Sequence, residues 1–255
     1  MDQTGGNIIM KQILLITDGC SNVGTSPVLA AAHALQDGIV VNVVGVLDYG
    51  TIGELGGLEI QEIAKAGGGI HRIVGTPQLA QTMQMMTRKT VVQTIQQAVN
   101  KEIQHILGGG TLEELPPDKR SQVVEVVDEL AETSSLQVAL LIDASASMKP
   151  KLAAVEEAIR DLMLSLKARA GSSELSVFHF PGKHSGEDIV MDVDWTSDLD
   201  GARGMFSRLQ MKGATPTGPA LLKVIEFYRY GTLEGNQSWQ GRSSQEEGML
   251  GDYVV

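Results

Sequence analysis

Two aspartates and three hydroxyl residues stand at places where an apolar run or a helix start meets a polar loop. Asp143, Ser145 and Ser147 follow the run VALLI (138–142), Asp18 ends QILLIT (12–17) ahead of Gly19, and Thr215 lies in GATPTG (213–218). These types suit a hard divalent cation. Mg²⁺ takes oxygen ligands in near-octahedral geometry at roughly 2.0–2.1 Å and keeps several waters. Two carboxylates balance the dication formally, whereas Ser and Thr hydroxyls add no charge, so the ion stays electrophilic and able to accept a carboxylate from another molecule. Asp143, Ser145 and Ser147 alternate, which lets all three point to one side of an extended segment. The set contains no His or Cys, which disfavours Zn²⁺; Mg²⁺ is the expected ion, with Mn²⁺ as a substitute. Taken singly, each piece is ordinary. Asp and Ser are good helix N-caps, Thr215-Pro216 suits an N-cap followed by N1, and Asp18-Gly19 is a common turn. Their joint occurrence is what points to a site.

The elements that must position these residues alternate between strand and helix. Strands are expected over 12–17, 39–47, 70–74, 138–142, 175–180 and 189–195, the last two joined by a loop short enough for antiparallel pairing. Helices are expected from Ser26-Pro27 to about Gln36, over 58–66, from Thr76 to Leu107, after Pro116-Pro117, and over 151–168, 199–209 and 219–230. Within the long helix, Val91, Val92, Ile95, Ala98, Val99, Ile103 and Ile106 form one apolar stripe, and Thr87–Thr90 is the place where it would break. In the helix after Pro117, the apolar positions are Val123, Val124, Val126, Val127 and Leu130. Single helices between strands, without two-residue hairpin turns, imply parallel pairing through right-handed crossovers. Ligands of such sheets bind at the carboxyl ends of the strands.

Composition narrows the function. The 255 residues carry 20 basic and 31 acidic side chains, a formal charge of −11 that works against nucleic acid and anionic lipid as partners. No run approaches the roughly 20 apolar residues of a membrane span. Asp2 and the lack of a basic segment before an apolar core do not read as a secretory signal. The single Cys20 has no intramolecular partner, so the expected setting is the cytoplasm. No Gly-x-x-x-x-Gly-Lys-Ser/Thr pattern supports a phosphate loop, despite the glycines at 53, 56–57 and 67–69. His179 and His184 are conceivable as a second metal pair, but no Cys or acid stands at matching spacing. Met83, Met85 and Met86 read as core, with a flexible partner groove as the alternative.

The three loops together resemble the metal-ion-dependent adhesion site of the von Willebrand factor A (vWA) domain family. DASAS (143–147) matches its Asp-x-Ser-x-Ser, GATPTG its Thr loop with Thr215 at the ligand position, and LLITDG (14–19) its Thr-Asp-Gly strand end with Asp18. The resemblance covers most of 11–75 and 137–231. It implies an α/β fold of three layers: a doubly wound, mostly parallel six-stranded sheet with one antiparallel edge strand. It departs from the family in order. The chain looks circularly permuted, with 76–136 as a helical connector, 1–10 as an N-terminal extension and 232–255 as a tail. The implied strand order, naming each strand by its first residue, is Ile189, Leu175, Val138, Gln12, Ile39, Ile70, which sets Asp18 and Asp143 on adjacent strand ends. At whole-chain level the sequence resembles the YabS-type proteins of endospore-forming bacteria, which adds a sporulation context. The implied function is a Mg²⁺-dependent protein-binding module that captures an Asp or Glu of a protein partner. The alternatives are an auxiliary subunit of a ring ATPase and, less favoured, a metal-dependent phosphatase with Asp143 or Ser145 as nucleophile. Phosphoryl chemistry needs a cationic or acid/base group nearby, and Lys149 is the only local candidate.

Overall fold

Near-continuous runs of Val, Ile and Leu mark strands covered on both faces, and these runs form the middle of one six-stranded sheet. The computed structural model describes residues 9–19, 21–47, 53–106, 116–182, 187–198 and 214–231. The strands are β1 (Ile9–Thr17), β2 (Ile39–Leu47), β3 (Gly68–Gly75), β4 (Ser135–Asp143), β5 (Ser173–Phe180) and β6 (Val190–Thr196). The helices are α1 (Pro27–Gln36), α2 (Glu54–Ala66), α3 (Leu79–Ile106), α4 (Pro117–Thr133), α5 (Leu152–Lys167) and α6 (Thr217–Tyr230). Strand order is β3-β2-β1-β4-β5-β6, the order expected above. All pairs are parallel except β5 with β6. The sheet is α/β, mostly parallel and six-stranded, as expected.

Alternation along the strands sends side chains into two cores. Leu14, Ile16, Val138, Leu140 and Ile142 pack with residues of α3, α4 and α5, including Met83, Met86, Val91, Val155 and Leu162. Ile13, Leu15, Ala139 and Leu141 pack with residues of α1, α2 and α6 on the other face. The result is three layers. Strands from both halves of the chain meet at the centre, where Ile16 lies opposite Ile142.

Four expectations need correction. The helix α3 runs unbroken through Thr87–Thr90, because these threonines face the sheet instead of solvent. Thr90 Oγ1 donates to Asn42 Oδ1 at 3.0 Å, the same oxygen accepts from Ile70 N at 2.9 Å, and Gln12 Nε2 donates to the Thr87 carbonyl at 3.3 Å. Side-chain bonds to the sheet thus hold the helix where β-branched residues weaken it. In the α3 stripe Val91 and Ile95 are buried and Val92 and Val99 pack against the core, but Ala98 is exposed. In α4, Val127 is buried and Val123 packs against the core, whereas Val124, Val126 and Leu130 are exposed. Finally, β1 begins at Ile9 with Met10 buried, three residues before the expected strand start.

The glycines at the start of β3 have a steric reason. A Cβ at Gly69 would lie 2.1 Å from the Val41 carbonyl oxygen, so only glycine allows β3 to pair so closely with β2. The expected helix over 199–209, the tail 232–255, Cys20 and His184 lie outside the described residues.

Candidate functional site

The carboxyl ends of β1 and β4 are side by side, and their register dictates the heart of the site. With Ile16 opposite Ile142, Thr17 and Asp143 come next on their strands and point to the same face. Thr17 Oγ1 donates to Asp143 Oδ2 at 2.7 Å, across 126 residues of sequence. Asp143 Oδ1 accepts the backbone N–H of Ser145 at 2.8 Å. The carboxylate is 0% exposed. Burial is the main cause that raises its pKa above the usual carboxylate range, with the nearby Asp18 charge acting the same way; the Thr17 and Ser145 hydrogen bonds oppose it.

Beyond Asp143 the chain turns away from the strand. Ala144 N donates to the Phe180 carbonyl at 2.7 Å, and Met148, fully buried, anchors a 3₁₀ turn over Ala146–Lys151. This turn carries the serines across to β1. Ser145 Oγ and Ser147 Oγ lie 3.2 Å apart, and Ser147 Oγ donates to Asp18 Oδ1 at 2.8 Å. A continuous run of hydrogen bonds thus links Asp143, Ser145, Ser147 and Asp18, drawn from two strand ends far apart in sequence.

Thr215 reaches the site by its backbone. Its N–H donates to Asn22 Oδ1 at 2.8 Å, and its carbonyl accepts from Asn22 N at 3.2 Å and from Ser21 Oγ at 3.1 Å. The loop after Asp18 and the loop before α6 are therefore laced together. Gly218 makes this closeness possible, since a Cβ there would stand 1.8 Å from the Thr25 carbonyl oxygen. Thr215 is buried, and its hydroxyl is not part of the hydrogen-bonded run from Asp143 to Asp18. On the far side, Glu59 Oε2 accepts Ser21 N at 2.7 Å and steadies the same loop. Burial is the leading cause that raises the pKa of Glu59, partly offset by that bond.

Three features were not legible beforehand. Thr17 fixes Asp143; its signal was its place directly before Asp18, in register with Asp143. Lys151 is the second. Its ammonium forms an ion pair with Asp18 Oδ2, with the side chains 10% and 5% exposed. Lys149, expected as the only local cation, is exposed, and Lys151 is the one turned into the site. The signal was present in Lys-Pro-Lys (149–151), but only the 3₁₀ turn decides which lysine faces inward. The third is Asp192, which lies 2.6 Å from Nδ1 of the buried His179. That histidine is thus engaged across β5 and β6.

Among the described residues, no group of three or more His, Cys, Asp or Glu side chains gathers around a point. The donor set is instead two carboxylates and hydroxyls, all oxygen, as Mg²⁺ prefers. No cation contacts Asp143 among the described residues, and Lys151 pairs with Asp18 alone, so the two low-exposure carboxylates are matched by one ammonium. By donor chemistry and charge, the residues fit a divalent ion.

No family model matches the chain. A protein of Bacillus subtilis (strain 168), the uncharacterized protein YabS, is 45% identical over 242 residues, covering 94% of this chain and 98% of its own. The chain belongs to the YabS family. A crystal structure of an uncharacterized protein from Alicyclobacillus acidocaldarius shares 43% identity with this YabS-family chain and covers 88% of it and 95% of itself, at a TM-score of 0.81. Proximal thread matrix protein 1 of the mussel byssus, solved with a zinc-occupied MIDAS motif, aligns at 14% identity and a TM-score of 0.28, a likeness too low to carry an argument. No helix among the described residues of the YabS-family chain is long and apolar enough to cross a membrane.

Proposed function

We propose that this protein is a divalent-ion-dependent protein-binding module, built on a circularly permuted vWA fold, that captures an Asp or Glu side chain of a partner protein. The observation that carries this reading is the run of contacts Thr17–Asp143–Ser145–Ser147–Asp18 at the meeting of β1 and β4. Asp143, Ser145, Ser147, Asp18 and Thr215 would hold Mg²⁺, with Mn²⁺ able to replace it. A bound ion supplies a Lewis-acidic position for an incoming carboxylate oxygen. Asp143 stays buried and orients Ser145 through its backbone N–H, Ser147 is exposed at the rim, and the Asn22–Thr215 lacing sets the third loop. We place this module in the cytoplasm, with a sporulation role as its cellular context.

The phosphatase alternative is less well supported. Lys149, the cation expected for it, is exposed, and Lys151, which does turn inward, contacts Asp18 and not Asp143. Each oxygen of Asp143 already accepts a hydrogen bond and the side chain is shielded from solvent, which places it poorly for attack on a substrate phosphorus.

The test is affinity capture from cell lysate in Mg²⁺ and in EDTA, with wild type and Asp143→Ala. The reading expects a protein retained by wild type in Mg²⁺ alone. Equal retention by Asp143→Ala in EDTA would overturn it.

A further inference from the structure

The Lys151 ammonium, buried within the proposed cation site, is a chemical competitor for the ion. It sits at the end of the 3₁₀ turn, directly before α5, and reaches Asp18 Oδ2 while Ser147 holds Oδ1. Both oxygens of Asp18 are thus in use. Burying one ammonium costs solvation that only a carboxylate partner repays. Here that partner is one of the two carboxylates proposed to hold the ion. A dication at Asp18 would face Lys151 across a few ångströms, with low exposure on both sides and so little screening. The two cations cannot both keep Asp18 at the present distance.

We propose that Lys151 is a tethered internal counter-cation that occupies the Asp18 carboxylate in the ion-free protein and leaves it when a divalent ion binds. The proposal rests on the ion-site reading given above. Lys151 lowers divalent affinity by making each binding event an exchange of an ammonium for an ion. Its departure also couples the site to the start of α5, since Lys151 is the residue directly before Leu152. Mutual exclusion of two cations at one carboxylate gives the module a threshold: the carboxylate of a partner is captured only where the divalent concentration is high enough to displace the lysine.

Two measurements on the full chain test this. In the first, Mn²⁺ binding is titrated by calorimetry in wild type, Lys151→Met, Lys151→Gln and the exposed-lysine control Lys149→Met. We expect at least tenfold tighter Mn²⁺ binding in both Lys151 variants and an unchanged affinity in Lys149→Met. A wild type that binds no Mn²⁺, alongside a Lys151→Met that does, is the same competition in its extreme form. Equal affinity in wild type and both Lys151 variants overturns the proposal but leaves the ion site standing. No Mn²⁺ uptake by any of the four proteins overturns the ion site and the proposal with it. The second measurement uses wild type alone and does not depend on how the variants fold. Amine acylation of Lys151, read by peptide mass spectrometry, should be slow in EDTA and rise at least severalfold in saturating Mn²⁺, with Lys149 as the internal reference. Equal Lys151 labelling in the two conditions would refute displacement.

Discussion

In the proposed site the charge of Asp143 would connect stability to ion binding, and the substitution Asp143→Asn separates the two. The carboxylate is fully buried, touches no cation among the described residues, and has its pKa raised mainly by that burial. Its ionised form is therefore tolerated by the fold more than it is favoured. An asparagine can be accommodated in the same bonds. Its carbonyl can accept Ser145 N–H, and its NH₂ can donate to Thr17 Oγ1, whose hydroxyl hydrogen then turns to the Gly19 carbonyl, 3.4 Å away. The ion-free variant should thus melt no lower than wild type at neutral pH. The ion, however, loses a charged ligand. Wild type in Mg²⁺ at a hundred times its Kd should gain about 2.7 kcal/mol, which for a chain of this size corresponds to roughly 5–11 °C in Tm. Asp143→Asn should gain about 0–1 °C under the same conditions, far below the shift expected of an intact site. Scanning calorimetry on both proteins, in EDTA and in Mg²⁺, gives all four values. Equal Mg²⁺ shifts in the two proteins would refute the reasoning, as would an Asp143→Asn that unfolds in EDTA well before wild type.

Other expectations follow from single contacts. Thr17→Val leaves Asp143 Oδ2 without its donor and should cost about 1–3 kcal/mol in a urea melt; an unchanged midpoint would show that the bond contributes nothing. Gly218→Ala places a methyl 1.8 Å from the Thr25 carbonyl oxygen and should lower stability by about 1–3 kcal/mol or more, while the same change at Gly38, where a Cβ meets nothing but φ is +73°, should cost only the left-handed backbone penalty. For pH, the sign follows from the raised pKa of Asp143. Below its unfolded pKa the group is protonated in both states and contributes nothing. As pH rises through the window between the unfolded value and the raised folded one, the native state carries a growing cost, complete above the folded pKa. Ion-free wild type should therefore lose stability with rising pH across that window, and Asp143→Asn should show a shallower slope; parallel profiles would contradict the assignment. Glu59, also raised by burial, contributes with the same sign in both proteins and cancels in the comparison.

The parts of the fold legible in the chain were those set by local hydrophobic runs. The central strands carry the runs ILLI, IVVNVVGVL and VALLI, which are almost wholly apolar. The edge strands β3 and β6, less buried and shorter in apolar signal, coincide with the expected runs 70–74 and 189–195 to within a few residues. Helix boundaries and faces were less legible. The Thr87–Thr90 segment reads locally as a weak point, and only the long-range bonds to Gln12 and Asn42 remove the weakness. In α4 every valine counts equally in the sequence, yet the angle at which the helix meets its neighbours decides which are covered. At the site, Asp143, Ser145, Ser147 and Asp18 are linked by hydrogen bonds, the two aspartates placed by adjacent strand ends and the serines by the turn that follows β4. Lys151 was missed because its direction depends on a 3₁₀ turn whose course is set by the burial of Met148. The Thr215 hydroxyl is the part of the set that the ion-free arrangement leaves outside that hydrogen-bonded run.

The central claim is that oxygens from three loops share one divalent ion. Anomalous diffraction from crystals soaked in Mn²⁺ tests it most directly. The expected result is one strong peak bounded by Asp18, Asp143, Ser145, Ser147 and Thr215. No peak at that position after soaking at saturating Mn²⁺, or a peak held by other side chains, would contradict it.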